Sequence, residues 1–256
     1  MTMSIHQYLC LKDNYGALVH DSATGATASV DVPEAGPTLA ALAERGWTLT
    51  DILITHHHAD HIQGVPGVKA KFPEARIWGP AKDKARIPFL DHELNEGDTA
   101  RVGSLGAKVI ETPGHTLGHI AYHFDKDDVA FCGDTLFSLG CGRVNETPHA
   151  VMWSSLMKLA ALPGETQVYC GHEYTEANGR FAATVEPGNR VLRTRIEEVA
   201  RLRAERRPTL PTTIAAELAA NPFLRVEEPA IQAALGMTGA EPAAVFAELR
   251  TRKDRF

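Results

Sequence analysis

The chain has 256 residues, a formal net charge of −6, 44% hydrophobic residues and 23% charged residues. That length supports a substantial core in one large domain or a domain with an appendage. The acidic balance argues against a nucleic-acid partner, which would require a basic surface. The first residues show neither a basic start leading to an apolar run nor a small-residue cleavage site. No apolar stretch has the ~18 residues of a membrane span. The expectation is a cytoplasmic protein with no membrane association. The four cysteines, Cys10, Cys132, Cys141 and Cys170, are scattered with no C-x-x-C pair, which points to reduced, structural thiols rather than a zinc ribbon or redox dithiol.

In chain order, residues 3–32 read as three short strands broken by turns at Asp13-Asn14 and Thr24-Gly25. Thr38 to Arg45 reads as an amphipathic helix ended by Gly46. The apolar or β-branched run Ile52 to Thr55 predicts a buried strand, and a helix is expected from Asp60 to Phe72. Strands are expected at 75–78, 107–112, 119–124, 128–132 and 166–170, with a helix at 149–162. Beyond Tyr174 helical patterns at 175–185, 190–205, 213–219 and 241–252 alternate with Pro187-Gly188, Pro208, Pro211 and Asn221-Pro222. The reading is an α/β (α+β) catalytic domain over residues 1–173, with two sheets flanked by helices, and a helical domain over 174–256.

The chemistry concentrates in Thr55-His56-His57-His58-Ala59-Asp60-His61. On an extended segment alternate side chains share a face, so His56 and His58 can aim at one point while His57 turns away. Asp60 and His61 offer a carboxylate and an imidazole to a second point, a donor set that suits zinc, iron or manganese. His115 in Thr112-Pro-Gly-His-Thr-Leu-Gly-His119, Asp134 in Cys132-Gly-Asp-Thr135 and His172 in Cys170-Gly-His-Glu-Tyr174 each follow a predicted strand, and a glycine precedes each candidate ligand. No G-x-S-x-G elbow is present.

The H-x-H-x-D-H run, with its later histidine, aspartate and histidine, resembles the metallo-β-lactamase superfamily. That resemblance implies a four-layer αββα sandwich and two divalent metal ions per chain, with zinc foremost and iron or manganese as alternatives. It gives His56, His58 and His115 to the first metal and Asp60, His61 and His172 to the second, with Asp134 bridging. Gly140-Cys-Gly-Arg143, Tyr169-Cys-Gly-His-Glu-Tyr-Thr175, Glu186-Pro-Gly-Asn189, Asn221-Pro-Phe-Leu-Arg225 and Arg252-Lys-Asp-Arg-Phe256 further resemble glyoxalase II, the hydroxyacylglutathione hydrolases. The implied reaction is hydrolysis of the thioester S-D-lactoylglutathione to D-lactate and glutathione, the second step of methylglyoxal detoxification. Asp60 and Asp134 would be the catalytic carboxylates holding the attacking hydroxide. Arg143, Tyr174, Arg250 and Lys253 would bind the substrate, in a monomer with no macromolecular partner. After Arg143 the family shows two aromatic positions and Glu-Gly-Thr, whereas this chain reads Val144-Asn145-Glu146-Thr147-Pro148. Asp31 and His119 are expected to orient ligands rather than bind metal. The alternative within the same superfamily is a glutathione persulfide dioxygenase with a mononuclear iron site.

Overall fold

A computed structural model describes residues 2–256. By density of internal packing the chain forms two compact units, one of residues 1–111 with 116–133 and one of 112–115 with 134–256.

In the first unit, strands β1 (Met3–Cys10), β2 (Asn14–Asp21) and β3 (Thr27–Val30) form the expected antiparallel meander. Helix α1 (Ala35–Arg45) ends at Gly46, whose φ of 67° is the left-handed cap that glycine adopts without steric cost. β4 (Asp51–Leu53) then joins β3 in parallel. The helix expected over residues 60–72 is two helices, α2 (Ala59–Ile62) and α3 (Val65–Lys71). Pro66 cannot donate to the helix ladder, and the Gly64 amide turns away to Val32 O at 3.0 Å. A Cβ at Gly64 would come within 2.6 Å of the Ala35 amide nitrogen, so the break is also where backbone meets backbone. β5 (Arg76–Pro80) and β6 (His92–Leu94) complete a six-stranded sheet in sequence order.

β7 (Thr99–Val102), β8 (Leu105–Glu111), β9 (Ile120–Phe124) and β10 (Val129–Phe131) follow as an antiparallel meander. It packs on the first sheet: the buried Tyr122 hydroxyl donates to Ile54 O at 2.8 Å. On the other face of that sheet, Leu42, Ile52, Ile54, Val65, Val68 and Ile77 are buried in one cluster with α1 and α3. Each such side chain contributes about 1.5–3 kcal/mol by leaving water.

The second unit contains the short hairpin β11 (Leu136–Phe137) and β12 (Gly140–Cys141), helix α4 (His149–Ala160), and β13 (Gln167–Tyr169), which later pairs with β14 (Thr212–Thr213). The rest is helical: α5 (Thr175–Val185), α6 (Arg190–Ala204), α7 (Ile214–Ala220), α8 (Pro229–Leu235) and α9 (Pro242–Asp254). Asn189 caps α6 by accepting from Leu192 N at 3.1 Å. Only Leu192 and Val199 of α6 are buried and most of its arginines and glutamates are solvated, but Arg195 turns inward and donates to Thr209 O at 2.7 Å. Aromatic rings join the other helices: Phe181 lies 6.1 Å from Phe223, and Phe223 lies 6.0 Å from Phe246. The strands β6, β7, β11, β12 and β14 and the helix α8 have no counterpart in the sequence expectations.

Candidate metal centre and substrate groups

In the first unit the segment leaving β4 is pinned as an extended chain. Ile54 N donates to Trp78 O at 2.8 Å, and Thr55 O accepts from Ile120 N at 3.0 Å. The alternation that follows is the one expected. His56 Nε2 and His58 Nδ1 face each other at 3.2 Å, while His57 turns away to Asp83 Oδ2 at 3.0 Å. His61 Nδ1 lies 2.7 Å from Asp31 Oδ2, so it donates there and its lone pair is left on Nε2. That Nε2 is 3.9 Å from Asp60 Oδ2.

Asp31 brings its carboxylate within 4.8 Å of the ring nitrogens of His56 and His61. Its oxygens also accept from Thr55 N and Thr55 Oγ1, each at 2.8 Å. With three donors on it, Asp31 orients His61 rather than offering a free oxygen to a cation. His119 stacks on His56 with ring centroids 4.8 Å apart. Two further residues escaped the sequence reading. Asn14 Nδ2 donates to Asp60 Oδ2 at 3.0 Å and to Asp60 O at 3.1 Å, and the fully buried Asp83 holds His57. Asn14 reads in the sequence as a turn residue only. Its link to Asp60 spans too many residues to show as local spacing.

In the second unit Asp134 sits between two imidazoles. Its Oδ2 is 3.5 Å from His115 Nε2 and 3.3 Å from His172 Nε2. All three residues are buried. His115 Nδ1 donates to Arg143 O at 2.9 Å, which again leaves the lone pair on Nε2. The His172 ring stacks on Tyr174, 4.7 Å away and 7° from parallel. Gly142 is required beside Asp134, because a Cβ there would lie 1.9 Å from Asp134 O. Imidazole lone pairs aimed at a shared buried carboxylate fit a divalent cation: the donors are of the right type, and an uncompensated buried carboxylate is costly.

Of the expected substrate groups, Arg143 is exposed and Tyr174 half-buried. Lys253 lies 5.3 Å from the rings of both Phe181 and Phe256 and donates to Ala177 O at 3.2 Å. Burial, with Arg250, Arg180 and Arg143 nearby, pulls its ammonium down to about 8. Arg250 is in the interior, 3% exposed, with Nη1 donating to Cys141 O at 2.8 Å and Nη2 to Asp254 Oδ1 at 3.0 Å. Asn145 is exposed beside Arg143.

Among the described residues no helix is long and apolar enough to cross a membrane. Residues 11–172 match the profile of the metallo-beta-lactamase superfamily, and residues 173–256 match that of the hydroxyacylglutathione hydrolase C-terminus. A hydroxyacylglutathione hydrolase of Rhodopseudomonas palustris (strain BisA53) is 54% identical over 255 residues, covering 100% of both chains. Among solved structures, ETHE1 from Myxococcus xanthus is similar with a TM-score of 0.65 at 27% identity, covering 98% of each chain. The BLEG-1 B3 metallo-beta-lactamase is similar in fold with a TM-score of 0.65 at 23% identity, covering 86% of this chain and 99% of that one. With the two profiles matched in succession over residues 11–256 and more than half its residues shared with a full-length relative, the chain has the metallo-β-lactamase fold and belongs to the hydroxyacylglutathione hydrolase (glyoxalase II) family.

Proposed function

We propose that this chain hydrolyses S-D-lactoylglutathione, and related S-2-hydroxyacylglutathiones, to the 2-hydroxy acid and glutathione, the second step of methylglyoxal detoxification. The observation that carries this reading is the full-length identity to hydroxyacylglutathione hydrolases, joined to a match to their C-terminal region. Residues 1–173 would form the catalytic domain and residues 174–256 the helical substrate-binding domain, acting as a monomer in the cytoplasm.

The proposed ligands are His56, His58 and His115 for one divalent ion and Asp60, His61 and His172 for a second, with Asp134 shared and zinc the metal. The fixed proton positions on His61 and His115 support this reading, because each leaves Nε2 able to bind a cation. When bound, such a pair of ions acidifies a water towards neutral pH and polarises the thioester carbonyl. The protein's own work is orientation. Asp31 and Arg143 O hold two imidazoles in one tautomer, and Asn14 holds Asp60. Asp60 and Asp134 would orient the attacking oxygen. Arg143 and Lys253 would pair with the glutathione carboxylates, and Tyr174 would pack alongside. The C–O bond forms first, making the carbonyl carbon tetrahedral, and the C–S bond breaks as the carbonyl is restored. The departing thiolate of glutathione is weakly basic and needs no strong general acid.

The test is loss of thioester absorbance from S-D-lactoylglutathione on metal-quantified protein, before and after chelation. Turnover that vanishes with the metal and returns when zinc is added back is the expected result. A protein carrying two metal ions per chain that leaves the thioester intact would overturn the hydrolase assignment. Oxygen uptake with glutathione persulfide would then replace it with the dioxygenase.

A further inference from the structure

The hairpin of β11 and β12 has only two residues in each strand, too few to hold its own shape in water. Its main chain is gripped instead by side chains from much later in the sequence. Asn178 Nδ2, on α5, donates to Ser138 O at 3.1 Å. Asn221 Nδ2 donates to Phe137 O at 3.1 Å and to Gly140 O at 2.9 Å. Glu217 Oε2, on α7, accepts from Leu139 N at 2.8 Å. Arg250 Nη1, on α9, donates to Cys141 O at 2.8 Å. All four gripping residues are buried.

The grip holds a conformation the hairpin would not keep by itself. Leu139 has a φ of 59°, left-handed backbone that a leucine disfavours. Gly140 has no Cβ, and one built there would lie 2.5 Å from Asn178 Nδ2, so its absence is what lets that amide approach. Two residues beyond Cys141 the chain reaches Arg143, whose carbonyl fixes the proton of His115.

We propose that Asn178, Glu217, Asn221 and Arg250 are positioning residues: by fixing the main chain of residues 137–141 they set where Arg143 presents its carbonyl to His115 and its guanidinium to the substrate. This rests on the hydrolase reading above. Arg250, which the family resemblance assigns to the glutathione carboxylates, thus also reaches the site through Cys141.

The test is a double-mutant cycle on the full-length, metal-loaded protein with Arg250→Met, Arg143→Ala and the pair, together with hydrogen exchange of the peptide covering residues 136–143. Arg250→Met should lower kcat/KM for S-D-lactoylglutathione by about tenfold or more, and adding Arg143→Ala should cost little beyond that, because side chains that act through one loop are not additive. Amides of residues 136–143 should exchange faster in Arg250→Met, and Arg250→Lys should restore part of the protection. Multiplicative losses, or unchanged exchange in this segment, would overturn the proposal. Should Arg250→Met fail to fold, Asn178→Ala, which removes only the grip on Ser138 O, carries the same two predictions. Absence of turnover by the wild-type protein would instead count against the hydrolase reading, and hydrogen exchange alone would then decide the positioning role.

Discussion

Asp31 has a φ of 54° and carries three donors on one carboxylate. Such a backbone costs on the order of 1–3 kcal/mol, and the donors from Thr55 and His61 keep it in place. Asparagine tolerates the same backbone but has a single acceptor oxygen, so Asp31→Asn should leave either Thr55 or His61 facing an amide N–H. The expected outcome is a lower metal content per chain and a roughly ten- to hundredfold weaker metal affinity. A variant that keeps full metal occupancy under competition by a chelator would show that Asp31 does not orient His61. Lys253 gives a pH signature. Since its ammonium titrates near pH 8, its charge is present below that pH and lost above it. KM for the thioester, which carries two carboxylates, should rise above about pH 8 with kcat held, and Lys253→Arg should abolish the rise because a guanidinium stays charged. At Asn145, where the family has an aromatic residue, Asn145→Tyr should lower KM, and unchanged kinetics would show that the position does not contact substrate. The cluster of His56, His58, Asp60 and His61 was legible in the sequence because its spacing is local. The partners Asn14, Asp83 and Glu217 were not, because each acts across dozens of residues and carries no motif of its own.

At the level of elements, long periodic stretches were read correctly: the first three strands, α1, α4, α5, α6 and α9 lie within a few residues of where periodicity put them. The helix expected over residues 60–72 failed at Gly64-Val65-Pro66, where contact with the backbone of Glu34 and Ala35 outweighs helical continuity. β11 and β12 are invisible to pattern reasoning because side chains from distant helices, not their own periodicity, create them. Asp21 shows the same kind of long-range fastening in the first unit. It joins the end of β2 to the turn between β7 and β8, accepting from Ser104 N and Ser104 Oγ, both at 2.7 Å, and from Thr24 Oγ1 at 2.8 Å. Burial pushes this carboxyl up, but the donors from Ser104, Thr24 and Ala23 outweigh it and hold it well below the usual range. Its folded value is therefore depressed, so the stability it gives is fully present above about pH 4 and is lost as pH falls further. Asp21→Ala should cost about 3 kcal/mol at neutral pH by chemical denaturation. The deficit of Asp21→Asn relative to wild type should shrink below pH 4, and a deficit independent of pH would refute the assigned charge.

On the scale of the whole molecule, the four cysteines are all buried and form no disulfide. Cys10 and Cys132 belong to the first unit and Cys141 and Cys170 to the second. Burial pushes the Cys10 thiol up to about 12 and the Cys141 thiol up to about 11. A thiol that is both enclosed and protonated is chemically silent, and reactivity returns only when its surroundings open. The chain therefore carries an internal clock for its own unfolding. Brief pulses of a thiol-alkylating reagent during denaturation, read out by peptide mass, should find Cys10 and Cys132 acquiring label together and Cys141 and Cys170 together, with the interval between the pairs measuring how independently the two units come apart.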